Sequence, residues 1–432
     1  MERKIVKKLT VWKNNPRRKP MILSGARQVG KTYSLLSFGK DQYNNTVYLN
    51  MEDSREIQMV FERDLKPERI LRELSALSGQ NIIPGNTLVI FDEIQSCERA
   101  LTSLKYFCEN APEYHIAAAG SLLGIAVNRN EYSFPVGKVD MLMLYPLDFE
   151  EFLTATGNAT LPGLIQESFS DYSPFSLHET ALDLYKIYLY VGGMPQAVKE
   201  YAETKDFNFV LACLKTINDA YIADMAKYAS PLETARIMAA WASIPAQLSK
   251  ENRKFQYKTI KSGARAYEYE TPLDWLKFAG VIYKCVRATQ GSMPLSACAD
   301  FDSFKVYMMD TGLLCSKFGV AANVILAGAP SFSGFKGALT ENYICQALIT
   351  NGFIPFYWSS PGKAELDFVF QDSQGNIIPL EGKSAENVKS KSLKQYISLY
   401  KPPYAIRVSA KNFGYENGVK SIPLYALFCL TP

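Results

Sequence analysis

Histidine is nearly missing from this chain: its 432 residues hold two, His115 and His178. The eight cysteines are scattered, with no Cys-x-x-Cys pair. Structural zinc sites and disulfide frameworks both need such groups at close, recurring spacings, so neither is expected. Reduced thiols in a cytoplasmic protein are the reading that remains. No uninterrupted apolar run approaches the roughly 20 residues that cross a bilayer, so no membrane partner is expected. The opening Met1-Glu2-Arg3-Lys4 is charged and lacks the apolar core of a signal peptide. Charge of one sign is also scarce. A net +4 is too little to name a polyanionic partner from the whole chain, so any basic patch has to be local. The length suffices for two or three domains with ample buried core.

What is present is organised around Gly25-Ala26-Arg27-Gln28-Val29-Gly30-Lys31-Thr32, which fits G-x-x-x-x-G-K-[ST] at every fixed position. Met21-Ile22-Leu23 before it reads as a buried strand, and Tyr33 to Phe38 after it as a helix. Glycines let the backbone curl so that successive N–H groups and a helix N-terminus face one point, which suits a polyphosphate. Lys31 can reach terminal phosphates, and the Thr32 hydroxyl can take a place on Mg²⁺. A nucleotide ligand is implied, with Gly25 to Thr32 as its binding loop.

Upstream, Lys4 to Lys13 has a helical apolar pattern that the Asn14-Asn15-Pro16 turn ends. Downstream, Thr46 to Asn50 reads as a strand and Ser54 to Gly79 as amphipathic helix. Asn86-Thr87-Leu88-Val89-Ile90-Phe91-Asp92-Glu93-Ile94 then gives a buried strand delivering two acids to its carboxyl edge, about sixty residues beyond the loop. Asp92 would hold the Mg²⁺ shell, and Glu93 would act as general base toward water. Adjacent acids of this kind suggest the additional-strand group of P-loop ATPases. A further strand, His115 to Ala119, runs into Gly120-Ser121. Ser121 is a candidate contact to the γ-phosphate or the lytic water, with a helix N-cap as the alternative. Val139 to Leu144 reads as another strand. Arg129, in the loop before it, is a candidate finger for transferred phosphoryl charge, or else a surface residue.

Residues 1–155 resemble the AAA-type ATPase domain of a widespread prokaryotic family that pairs this domain with a carboxy-terminal domain of uncharacterised function. The resemblance rests on Gly25 to Thr32, Val89 to Gln95, Ala119-Gly120-Ser121 and Leu144-Tyr145-Pro146-Leu147. It continues through Gly192-Gly193-Met194-Pro195, Lys305 to Leu314 and Gly337 to Asn342, covering nearly the whole chain. It implies ATP binding with hydrolysis.

Residues 156–245 read as a helical region. Within 246–290, nine basic residues stand against four acidic ones. A helix near Tyr257 to Ile260, a break at Gly263, a helix Thr271 to Ala279 and a strand Val281 to Val286 suit a winged helix over 246–325. Its basic surplus would contact DNA phosphates, or the element would serve only for protein packing.

From 326 to 432 the pattern suggests an α/β nuclease-like domain. Glu341 lies in a helix, Leu339 to Leu348. Glu365, Asp367 and Val369 share one strand face. The turn Gln374-Gly375-Asn376 makes a hairpin, and the returning strand puts Glu381 and Lys383 on one side. Acid, acid, acid-x-Lys is the PD-(D/E)xK layout, with Glu341, Asp367 and Glu381 on a metal and Lys383 at the hydrolytic water. Gly382 is unusual there, since glycine weakens a strand interior.

The expected architecture is therefore an α/β P-loop parallel sheet of additional-strand type, a helical and winged-helix region, and a nuclease-like tail. The expected activity is Mg²⁺-dependent ATP hydrolysis coupled to DNA binding, in a chain that could self-associate. The alternative is a nucleotide-gated switch or scaffold without nuclease chemistry.

Overall fold

The computed structural model describes residues 1–121, 134–251, 253–327, 333–360, 364–384 and 391–432. They fall into two compact units. One comprises residues 2–145 with 278–280; the other comprises Met1, 146–277 and 281–432.

In the first unit, β1 (Met21–Ser24), β2 (Asn45–Asn50), β3 (Thr87–Asp92), β4 (His115–Gly120) and β5 (Asp140–Met143) form a sheet ordered β2-β3-β4-β1-β5. All pairings are parallel. Every residue of β1, β3 and β4 is buried, as befits parallel strands covered on both faces. Strand β4 lies between the loop-bearing β1 and the acid-bearing β3, which is the additional-strand arrangement the paired acids imply. Helix α1 (Ile5–Asn14) precedes the sheet, and α2 (Lys31–Gln42) starts inside the glycine-rich loop.

The stretch 54–79 is not one helix but two, α3 (Arg55–Glu62) and α4 (Pro67–Ser78). Pro67 holds Lys66 extended. Arg69 clamps the break, donating from Nε to Asp64 Oδ1 at 2.9 Å and from Nη2 to the Val60 carbonyl at 2.8 Å. Helix α5 (Glu98–Asn110) completes this layer.

The second unit opens with α6 (Phe149–Ala155), α7 (Leu161–Asp171), α8 (His178–Val191), α9 (Pro195–Thr204), α10 (Phe207–Tyr228) and α11 (Pro231–Leu248). The helix expected at Tyr257 is a single 3-10 turn, Tyr257–Thr259, before α12 (Ala266–Phe278). Strands β6 (Ile282–Ala288) and β7 (Ala299–Met308) follow, then α13 (Thr311–Phe318), α14 (Ala322–Leu326) and α15 (Ser333–Thr350). The remaining elements are β8 (Phe356–Ser359), β9 (Glu365–Gln371), β10 (Ile377–Gly382), α16 (Lys391–Tyr400), β11 (Ala405–Ser409), β12 (Gly414–Glu416) and β13 (Val419–Pro423).

The eight strands form one sheet, β12-β13-β11-β10-β9-β8-β6-β7. The strand expected at Val281 to Val286, within the winged-helix reading, is β6, and with β7 it is part of the tail's own sheet. It joins through a parallel β6–β8 pairing, Val286 opposite Phe356. The hairpin expected at Gln374 to Asn376 is present between β9 and β10. No described helix is long and apolar enough to cross a membrane.

Asp310 ties this unit together. Fully buried, it caps α13 by accepting from Leu313 N at 2.9 Å, and its other oxygen accepts from Gly193 N at 2.6 Å. Burial pushes its carboxyl up to about 6, against the pull of these backbone donors. The protonated acid is thus held more tightly folded than unfolded. Its contribution to stability is present below the usual carboxylate range and declines as pH rises to about 6. Urea unfolding between pH 4 and 7 should show this decline, and Asp310→Asn should flatten it.

Candidate functional site

The carboxyl ends of β1, β3 and β4 converge on the loop. Register sets Ser24 level with Gly120, so Gly25 and Ser121 leave the sheet side by side. The loop turns through left-handed backbone at Gln28 (φ 63°) and Gly30 (φ 92°). For a glutamine that conformation is strained, which is common where a loop is shaped for a ligand. Gly25 is obligatory for another reason: a Cβ there would stand 2.3 Å from the Leu144 carbonyl oxygen.

Lys31, at the start of α2, is buried, and its ammonium donates to the Gly25 and Ala26 carbonyls at 3.0 and 2.8 Å. Arg3, which sequence reasoning missed, is buried beneath the loop. It donates to the Val29 carbonyl at 3.0 Å and to the Tyr145 carbonyl at 2.6 Å. An isolated arginine in a charged amino-terminal run carries no signal of such a role.

The acids follow β3. Asp92 Oδ2 accepts from the Thr32 hydroxyl at 2.7 Å and from the Tyr48 hydroxyl at 2.9 Å, while Oδ1 accepts from Glu93 N at 3.0 Å. Burial, then the hydrogen bond to Asp92, raises the Tyr48 phenol well above its ordinary range, so it stays a donor. Glu93 has left-handed backbone (φ 48°), at the point where β3 gives way to the 3-10 turn Ile94–Ser96. Gln95, two residues on, donates to Glu93 Oε2 and, at 3.4 Å, to Ser121 Oγ. Glu93 and Ser121 are thus brought together through a residue to which sequence reasoning assigned no role. Arg129 lies outside the described residues, and so does any helix that Ser121 would cap.

Magnesium fits this donor set. A carboxylate and a hydroxyl, both hard oxygens, already touch, and Mg²⁺ is usually held by one or two carboxylates together with substrate phosphates. Thr32 and Asp92 are the residues that would hold it.

The tail differs. Glu341, on α15, is buried and saturated by donors. Oε1 accepts from Lys305 Nζ at 2.9 Å and from the Tyr307 hydroxyl, and Oε2 pairs with the Arg253 guanidinium. Lys305 also pairs with Glu365 at 2.8 Å, and Lys254 reaches Glu365 at 3.4 Å. Asp367 Oδ2 accepts from Gly382 N at 2.8 Å. Glu381 and Lys383 pair at 2.6 Å. Burial alone would lower Lys383, but Glu381 and Asp367 outweigh it and hold the ammonium above its usual range.

Cations therefore answer Glu341, Glu365 and Glu381, and a backbone N–H answers Asp367. Among the described residues no three of His, Cys, Asp and Glu come together to hold a metal. Of the expected set, Glu341 and Glu381 are paired with internal cations, while Asp367 accepts from a backbone N–H. Gly382 has a packing reason: a Cβ there would lie 2.4 Å from Ile344 Cδ1 of α15.

Residues 17–153 match the AAA domain family. Residues 182–323 match a domain of unknown function (DUF8612), and residues 336–427 match another (DUF4143). No curated protein matches the chain. Among solved structures, the Walker-type ATPase PABY2304 of Pyrococcus abyssi is similar at 15% identity and TM-score 0.47, over 73% of this chain and 95% of that one. The ORC2 protein of Aeropyrum pernix (ADPNP-ADP complexes) is similar at 12% identity and TM-score 0.35, over 78% and 93%. The ORC1 protein of the same organism, in complex with DNA, gives 11% and 0.30, over 77% and 92%. The family match over 17–153, with the sheet order and loop described above, supports a P-loop ATPase fold, which implies nucleotide binding.

Replacing Arg3 by Met should expose what the guanidinium does for the loop. Each carbonyl left without its donor costs about 1–3 kcal/mol. The melting temperature should fall by several degrees and ATP affinity should weaken, as read by calorimetry.

Proposed function

We propose that the protein is a Mg²⁺-dependent ATPase whose tail serves as a binding platform under nucleotide control and does not cut phosphodiester bonds. The observation that carries the second half of this reading is Glu341, whose two oxygens are occupied by Lys305, Tyr307 and Arg253.

At the loop, backbone N–H groups and the start of α2 receive the phosphates. Lys31 swings from the Gly25 and Ala26 carbonyls to the terminal phosphates, where its charge offsets that developing on the transferred group. Mg²⁺ held through Thr32 and Asp92 would supply further neutralisation of phosphate charge. Glu93 takes a proton from the attacking water. Ser121, level with the loop, senses the γ-phosphate end of the nucleotide.

One observation favours DNA as a partner of residues 246–290. Three of the nine cations in 246–290 are spent on carboxylates outside that window: Arg253 on Glu341, Lys254 on Glu365 and Arg287 on Asp300. Lys258, Lys261, Arg265 and Lys277 nevertheless remain exposed, which suits contact with a phosphate backbone.

Lys31→Ala should abolish Mg²⁺-dependent phosphate release; undiminished turnover would remove the loop from the mechanism. Plasmid DNA incubated with the wild-type protein and Mg²⁺ or Mn²⁺ should stay uncut. Cutting that vanishes in Glu381→Ala would instead establish a nuclease. If DNA is bound, log affinity should fall with log salt at about 0.9 per phosphate neutralised, and reversing Lys258, Lys261 and Arg265 to Glu should flatten that slope.

A further inference from the structure

Gln95 stands out among the residues that the ATPase reading leaves without a task. It is buried, on the 3-10 turn Ile94–Ser96 directly after Glu93. Its amide nitrogen spends both protons, one on Glu93 Oε2 and one on Ser121 Oγ at 3.4 Å. Reversing the amide would set its oxygen against a carboxylate oxygen, acceptor against acceptor, so the orientation is fixed by Glu93. The carbonyl oxygen Oε1 consequently faces a third direction. It is buried and has no hydrogen-bond partner among the described residues. A buried acceptor left unmet costs about 1–3 kcal/mol, and in a native protein such a group calls for a water, a ligand or a catalytic use.

We propose that Gln95 Oε1 accepts a hydrogen bond from the attacking water and orients it between Glu93 and the γ-phosphorus. The inference rests on the ATPase reading and adds to it a positioning residue. Water carries two protons. Gln95 Oε1 takes a hydrogen bond from one and Glu93 abstracts the other, so the oxygen lone pair is left to face phosphorus. The water oxygen bonds to the γ-phosphorus as the bond from that phosphorus to the bridging oxygen breaks. The electron pair leaves with ADP, and the abstracted proton rests on Glu93 until it is released to solvent or product. Gln95 keeps its own protons throughout. Its two donated bonds hold Glu93 and Ser121 at a fixed spacing, so base, water and γ-phosphate contact are set by one carboxamide. A glutamine that aims the lytic water is a recurring device in phosphoryl transfer; here it comes from the turn that follows the acid pair.

The test compares wild type with Gln95→Leu and Gln95→Met, which keep the buried volume and remove every hydrogen bond. Steady-state turnover should fall about 10²-fold, the lower end of what a general base such as Glu93 contributes when its water is correctly placed. KM for ATP and the affinity for AMP-PNP should stay within about twofold of wild type, because a ground-state analogue does not need the water. Affinity for ADP with aluminium fluoride, which mimics the transition state, should fall by about the same factor as kcat. Turnover unchanged in either variant overturns the proposal. A loss of AMP-PNP affinity matching the loss of kcat also overturns it and makes Gln95 a packing residue. If one variant fails to fold, the other decides. Should the wild-type protein itself release no phosphate, the ATPase reading fails first, and the two failures are thereby told apart.

Discussion

A carboxylate delivered to the end of a buried strand or the face of a buried helix must be met by something, and what meets it decides its chemistry. Asp92 is met by hydroxyls, from Thr32 and Tyr48. Hydroxyls satisfy its lone pairs and leave its negative charge in place, so the site still attracts a divalent cation. Glu341 is met by an ammonium, a guanidinium and a phenol. There the charge itself is cancelled, and an incoming ion would have to displace two groups already paired in a low-dielectric interior. Both acids sit in strand-and-helix frameworks able to serve a metal. Their different neighbours give the two acids different electrostatic surroundings.

The ATPase domain was largely legible because its signals are local. The loop, the strand before it and the paired acids each lie within a dozen residues, and short apolar runs of parallel strands read directly as buried. Even the position of the additional strand followed from Glu93 standing beside Asp92. Illegible were the contacts that bridge long sequence distances. Arg3 reaches Tyr145, and Tyr48 reaches Asp92, without any periodic pattern to announce them. Gln95 was visible within a recognisable run, but a glutamine two residues after an acid has many possible uses until its partners are placed.

The second unit misled for the same reason. A window over 246–290 counts cations but not the carboxylates that neutralise them, since Asp300, Glu341 and Glu365 lie beyond its edge. Lys305 offered the one readable hint: a lone ammonium in the apolar run Phe304 to Met309, two residues before Tyr307 and therefore on the same strand face. The strand Val281 to Val286 was legible, but not its place in a larger sheet, because a strand looks alike whether it ends a small domain or extends a bigger one. Gly382, a weakness on strand propensity alone, is what lets Ile344 of α15 press against β10.

The β6–β8 pairing also bears on how such a chain can be inherited. Strands β6 and β7 fall in one family match and β8 to β13 in the next, yet all eight share a single hydrogen-bonded sheet. Neither portion could be exchanged as a cassette without baring a row of strand amides and carbonyls to the surroundings, an edge prone to pairing with foreign chains. The two regions named separately are in physical terms one hydrogen-bonded sheet.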